Sequence, residues 1–451
     1  MNGFLNLTEG NLTKNFLRYA IPVVLSGVLT QAFSLIDSAL VGRLLGDAGL
    51  AAIGSTHSFV TVVHAFLWGF ALGIGAYISM LFGGKRYRET VNSIRVNLLI
   101  LTVVSAVLIT AMLIFCKPIF TLLRIGEDIY RSSMIYYIIT TIGLVFFNIN
   151  WFSVSVFNGM GATSYPLKVS VLSGAINVVS KYVLIGLLDM GITAAAVTTT
   201  VSSAIGSVCY LLRFRRDFKI LAPEQTKLDF DFSRIAPAWR QGFPCMIQQM
   251  IMYIAPFAIQ PLINEMGAPE ISAFSICNKI YVLCATIFQQ SSKTLTTFCS
   301  QSVGNGKIDG IKKGVLVGFR QSFLLALPII AFCYFCPKTV VSLFYNDIGS
   351  ESARYVMRYL FLCMPFVVCQ VVNNMFHSFY RGVLFPVIAT ISTASYSVAR
   401  MVATFLLIGS LRMDGIFWGF NIAWMFEMIL LFSFYRSGIW LRRLERLTAK
   451  A

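Results

Sequence analysis

Charge is scarce in this chain and acid scarcer still: 12% of its 451 residues are Asp, Glu, Lys or Arg, with 19 acids against 36 bases and only three histidines. A soluble fold of this length needs a polar shell, which 57% hydrophobic residues and a mean hydropathy of +0.75 do not supply. Long polar stretches are missing too, apart from one between Arg213 and Arg240, so no large soluble domain is expected. Neither paired acids nor a histidine motif occurs within the apolar segments, and without such a constellation an intramembrane enzyme has nothing to work with. No polar stripe repeats through those segments, which disfavours a channel.

What the chain does have is repeated runs of about 20 apolar residues, the length that crosses a bilayer as a helix. These give twelve spans, the first near residues 16 to 43 and the last near 414 to 435, and an all-α polytopic membrane protein. The first run begins after Asn11 and reads as a transmembrane helix, not a cleaved signal peptide. A net charge of +17 suggests nucleic acid until the bases are placed. They fall mostly in alternate loops, the pattern that orients helices in a membrane, with both termini cytoplasmic. Nucleic acid is therefore rejected as a partner, and the lipid bilayer takes its place.

Ten cysteines suggest a disulfide framework, but seven of them, from Cys209 to Cys369, fall inside spans, where a free thiol behaves as a small hydrophobe. Cys333 and Cys336 form a lone C-x-x-C with no second cluster to complete a zinc site. The sequence calls for neither a metal nor a cofactor.

Two halves are visible at an offset of 221 residues, which lays Gly46 on Gly267, Ala52 on Ala273, Ser79 on Ser300 and Gly83 on Gly304. Pro22 pairs with Pro244 one residue away from that offset, and Phe115-Cys116 with Phe335-Cys336 at 220. Residues 1–212 then form one six-helix lobe, 213–239 a cytoplasmic linker and 240–451 the second lobe. Two six-helix repeats share one orientation, so a pseudo-twofold axis along the membrane normal is expected.

Asp37, near the outer end of the first span, is the one acid placed inside a membrane segment of the first half, and a lone carboxylate there must be paired or used. Around it stands the stretch Leu35-Ile36-Asp37-Ser38-Ala39-Leu40-Val41-Gly42-Arg43-Leu44-Leu45-Gly46. With Ala20-Ile21-Pro22, Phe82-Gly83-Gly84-Lys85-Arg86-Tyr87-Arg88-Glu89, Gly159-Met160-Gly161-Ala162-Thr163-Ser164-Tyr165-Pro166, Gln241-Gly242-Phe243-Pro244 and Phe379-Tyr380-Arg381-Gly382, it resembles the multidrug and toxic compound extrusion (MATE) transporters through nearly the whole chain.

The resemblance implies a monomeric secondary antiporter of the plasma (inner) membrane. Its two lobes would form a central V-shaped cavity that opens alternately to either side and exports small amphipathic or xenobiotic compounds. It also implies a cation site in the first lobe, made by an Asp on the first helix, an Asn and an Asp one turn apart on the fifth and a Thr on the sixth. The matching positions are Asp37, Asn177, Lys181 and Thr199, and the fourth reverses its charge. Alternatives are a sodium-coupled exporter and, from the wider superfamily, a flippase for a lipid-linked saccharide precursor, which more than twelve spans would favour.

Spacing brings the same four residues together. Pro22 and Pro166 read as the starts of two rising helices, and Asp37 and Lys181 each lie fifteen residues further on, about 22 Å up. Thr199 falls in the same layer of a descending helix, and Asn177 shares a face with Lys181. An Asp and a Lys at one depth pair, either as a structural salt bridge or with the ammonium in the role of a sodium ion. The second reading makes the proton the coupling ion.

Where some relatives carry acids on the seventh and tenth helices, the second lobe has Met252 and Gln370. Its charges are Lys279, Lys293 and Arg400, with Glu427 on the last helix. If two of those cations face the substrate cavity, anionic or zwitterionic substrates are favoured; otherwise each snorkels or pairs with Glu427. His57, His64 and His377 read as packing residues, and Gly27, Gly69, Gly73 and Gly75 as points of close helix approach.

Overall fold

The computed structural model describes residues 4–123, 125–223 and 231–448. Among them twelve helices are long and apolar enough to cross a membrane: α1 (Leu12–Gly46), α2 (Phe59–Gly83), α3 (Tyr87–Ile114), α4 (Glu127–Gly159), α5 (Ser164–Leu187), α6 (Gly191–Leu221), α7 (Ile235–Asn264), α8 (Ala268–Gly304), α9 (Ile311–Phe335), α10 (Glu351–Gly382), α11 (Pro386–Leu411) and α12 (Met413–Arg436). A short helix, α13 (Ile439–Thr448), follows. The chain is an all-α, multi-pass membrane protein.

Three boundaries differ from the sequence reading. Helix α1 starts at Leu12, so Pro22 lies inside it and does not begin it. Helix α6 runs on to Leu221, taking the first residues of the expected linker into the span; Arg213 and the buried Asp217, four apart, pair along it and support that extra length. The residues 224–230 of that linker lie outside the described residues. Lastly, the C-x-x-C does not act as a unit, because α9 ends at Phe335: Cys336 is exposed, whereas Cys333 is buried with its Sγ 4.0 Å from that of Cys284.

The internal repeat holds at the level of backbone conformation. Gly46 (φ 66°) and Gly267 (φ 138°) both turn the chain with a positive φ, the first after α1 and the second before α8. Helices α2 and α8 both end on the repeat-matched glycines Gly83 and Gly304. Ala52, Ala273, Ser79 and Ser300 are all fully buried. The same offset pairs Lys85 (φ 57°) with Gly306 (φ 69°), and Gly191 (φ 60°) with Arg412 (φ 49°). At two turns, therefore, a cationic side chain occupies the left-handed conformation that glycine occupies in the other half.

The chain folds into two compact units. One comprises Met1–Leu5 and Leu25–Met246, the other Asn6–Val24 and Ile247–Ala451. Each half's first helix changes unit three residues past its repeat-matched proline, Pro22 in α1 and Pro244 in α7. The boundary between units thus falls within α1 and α7, where the expected lobes placed it at a linker.

Helices in a bilayer gain little from burying apolar faces against each other and associate through close packing. In the first unit α2 does this with glycine: a Cβ on Gly69 would meet the backbone of Cys245 and Met246, and one on Gly73 the backbone of Gln241 and Gly242 in α7. Gly75 faces Ser155 of α4 instead. The second unit is cored by larger groups, among them Phe288, Tyr359, Val367, Phe417 and Trp424.

Candidate functional site

The first unit gathers its ionisable groups where α5 changes geometry. Its helix is α-type from Ser164 to Lys181 and π-type from Tyr182 to Leu187, a widening often found at functional positions. Lys181, at the junction, is 1% exposed, and its Nζ forms an ion pair with Oδ1 of Asp37 on α1. A second Nζ contact runs 3.3 Å to Oγ1 of Thr199 on α6. That hydroxyl gives its own proton to the Ala195 carbonyl at 2.9 Å, leaving its lone pairs for the ammonium.

Asn177 lies one turn before Lys181. With its amide oriented by the hydrogen-bond network, the nitrogen donates to Asp37 Oδ1 at 2.9 Å and the oxygen stands 3.3 Å from Ser202 Oγ. One carboxylate oxygen thus receives both an ammonium and an amide. The pair is unequally buried, since the Asp37 side chain keeps 31% of its exposure. The exposed surface of the pair thus belongs to the acid, while the Lys181 charge is almost wholly enclosed by protein.

The four first-lobe residues expected from sequence therefore stand together. Two neighbours escaped that reading. Ser202 lies three residues past Thr199 on the same face of α6, and Tyr136 of α4 brings its phenol within electrostatic reach of Asp37. The spacing Thr199-x-x-Ser202 was available as a signal; nothing in the sequence pointed to Tyr136.

Asp37 is also not the sole paired acid within a spanning helix of the first unit. Asp217, 1% exposed near the end of α6, accepts from Arg213 Nε at 2.9 Å, and that guanidinium stands 5.2 Å from the ring centroid of Tyr165. The i, i+4 pair marked it in the sequence, but the assignment of those residues to a linker hid it.

The second-lobe candidates are scattered. Lys279 and Met252 are exposed, Lys293 is half-buried within electrostatic reach of Arg381, and Gln370 is buried with its side-chain oxygen 3.3 Å from Asn374 Nδ2. Arg400 is buried, with its guanidinium carbon 3.9 Å from the Phe420 ring centroid. Tyr281 and Tyr396 both lie in the combined field of Arg400 and Glu427. Arg400 is thus engaged by an aromatic face inside its own unit, with Glu427 acting on the same two tyrosines.

Twelve apolar helices in two repeats, with ionisable side chains collected at mid-helix, define a multi-pass membrane transporter. The chain belongs to the MatE family, whose model matches residues 22–183 and 244–406. It is 23% identical over 448 residues to the probable multidrug resistance protein YpnP of Bacillus subtilis (strain 168), covering 96% of this chain and 97% of that one. The fold is similar to a crystal structure of MATE in the bent conformation, with TM-score 0.86, 19% identity and 98% of each chain covered. It is also similar to a MOP superfamily transporter from Pyrococcus furiosus Vc1, described for the reverse polarity of its binding pocket, with TM-score 0.85, 18% identity and 99% of each chain covered.

Proposed function

We propose that this protein is a secondary antiporter of the plasma (inner) membrane, with both termini cytoplasmic, that exports small amphipathic compounds by alternating access and is driven by protons exchanged at Asp37. The observation that carries the proposal is the ion pair between Lys181 and Asp37, with Asn177 and Thr199 around it. The resemblance places a carboxylate where Lys181 stands, and two carboxylates with an amide and a hydroxyl would suit a free monovalent cation. Here the cation is covalently part of the chain, so a sodium ion has neither room nor a second negative charge to bind.

Protonation of Asp37 from its half-exposed side removes the negative member of the pair. A desolvated ammonium without its counter-charge is costly, so Lys181 and the π-type turn carrying it must re-pack. Deprotonation restores the first arrangement. This gives α1 and α5 two states that differ by one proton, the element an antiporter needs.

The multidrug names carried by relatives such as YpnP support amphipathic xenobiotics as substrates. The test is export from proteoliposomes under separate proton and sodium gradients. Export driven by an inward-directed proton gradient and indifferent to sodium is expected, with Asp37→Asn and Lys181→Ala both impaired. Sodium-driven export at fixed pH would overturn the proposal.

A further inference from the structure

The second unit holds a carboxylate more deeply buried than Asp37, in a setting the coupling site does not use. Glu427 of α12 is 2% exposed. Asn373 of α10 donates its Nδ2 to Glu427 Oε2 at 3.0 Å and to the Trp424 carbonyl at 3.1 Å. The other carboxylate oxygen, Oε1, lies 3.1 Å from Nε2 of His377, one turn further along α10. That nitrogen is also 3.2 Å from Oγ of Ser392 on α11, whose own proton goes to the Ala389 carbonyl at 2.9 Å. Ser392 therefore accepts, so Nε2 carries a proton and gives it to that hydroxyl, while Glu427 Oε1 stands beside the ring without receiving a hydrogen bond from any described residue. The group left to gain or lose a proton is Nδ1 of the same ring.

The surroundings fix how such a proton is felt. Tyr281 faces the cluster from α8, and Tyr396 and Arg400 face it from α11. On α10 itself Arg381 donates its Nε to the His377 carbonyl at 3.2 Å, with Lys293 of α8 in the field of Arg381. Helix α9 meets α10 in this region through Phe319, against Phe376, and through Ser322, which donates to Met375 Sδ at 3.0 Å. Among the described residues, the ionisable group paired with Glu427 is thus the His377 imidazole, with cations further out.

We infer that His377 and Glu427 form a proton-binding centre of the second unit, with His377 taking the proton at Nδ1, Glu427 holding the counter-charge and Asn373 positioning the carboxylate. One proton from water adds to Nδ1 and leaves Nε2–H in place. A neutral ring in contact with a carboxylate becomes an ion pair joining α10 to α12, with Ser392 tying the ring to α11. The proton affinity of this centre does not depend on the role of Asp37, and the second unit responds to pH by itself.

Three histidines make the test direct, because His377→Gln assigns the His377 signal in nuclear magnetic resonance spectra of histidine-labelled, full-length protein. The wild-type His377 ring signal is expected to change reversibly in one step somewhere in a titration from about pH 4 to about pH 9. Glu427→Gln should displace that step by about one pH unit, the scale of a lost opposite charge in contact, while Asp37→Asn leaves it in place. A signal constant across that range, or a step that Glu427→Gln does not move, overturns the inference. Should Glu427→Gln fail to fold, Arg400→Gln serves instead: it must displace the step in the sense expected for loss of a cation, and an unmoved step overturns the inference equally.

Discussion

The two units solve the problem of a charge inside a membrane in opposite ways. In the first, the base is enclosed and the acid is partly exposed: Lys181 is 1% exposed and Asp37 31%. In the second, the acid is sealed, and its partners are an imidazole and an amide. In the proposed mechanism, a half-exposed acid against a buried base exchanges a proton and moves when it does. A buried acid held by the Asn373 amide, with an imidazole against its other oxygen, is fixed in place.

The largest expected effect lies at the first pair. Asp37→Asn should abolish proton-driven export and lower stability by about 3 kcal/mol, since it leaves the Lys181 ammonium buried with only Thr199 beside it. The Asp37→Asn/Lys181→Met double variant should recover most of that stability and none of the export. Thermal unfolding in detergent beside a transport assay checks both, and equal stability of the single and double variants would break the contrast between the units.

Next comes packing. Gly73→Ala puts a methyl against the α7 backbone, which cannot rotate away as a side chain can, so a loss of about 2 kcal/mol is expected. Gly54, with nothing within 4 Å of its added Cβ, should tolerate alanine with little change. The same unfolding measurement compares them.

The smallest effect concerns the repeat. Lys85 and Arg412 hold left-handed conformations that cost roughly 1 to 2 kcal/mol outside glycine, partly offset by the greater freedom of glycine in the unfolded chain. Lys85→Gly and Arg412→Gly should each stabilise by about 0.5 kcal/mol. The reverse change, Gly306→Lys or Gly191→Arg, should destabilise by a similar amount.

Much of this architecture was legible in the sequence because membrane helices announce themselves by length, and the repeat by glycines that turns require. Gly46 and Gly267 carry that signal in both halves, whereas Lys85 and Arg412 conceal it because charged residues fill positions that glycine fills in their counterparts. The Asp37 cluster was legible because four residues on three helices lie at one depth, a quantity that residue counting supplies even though Pro22 does not start its helix. Asp217 was missed because a run of arginines looked like a loop. The pairing of His377 with Glu427 was illegible for a different reason: they sit fifty residues apart on different helices, and no periodicity says which faces meet.

The central claim is that the Lys181 ammonium stands where a free cation would otherwise be required. Sodium-driven export by Lys181→Asp, measured beside the wild type at fixed pH, tests it most directly. A wild type indifferent to sodium and a variant that acquires sodium-driven export are predicted; sodium-driven export by the wild type would contradict the claim.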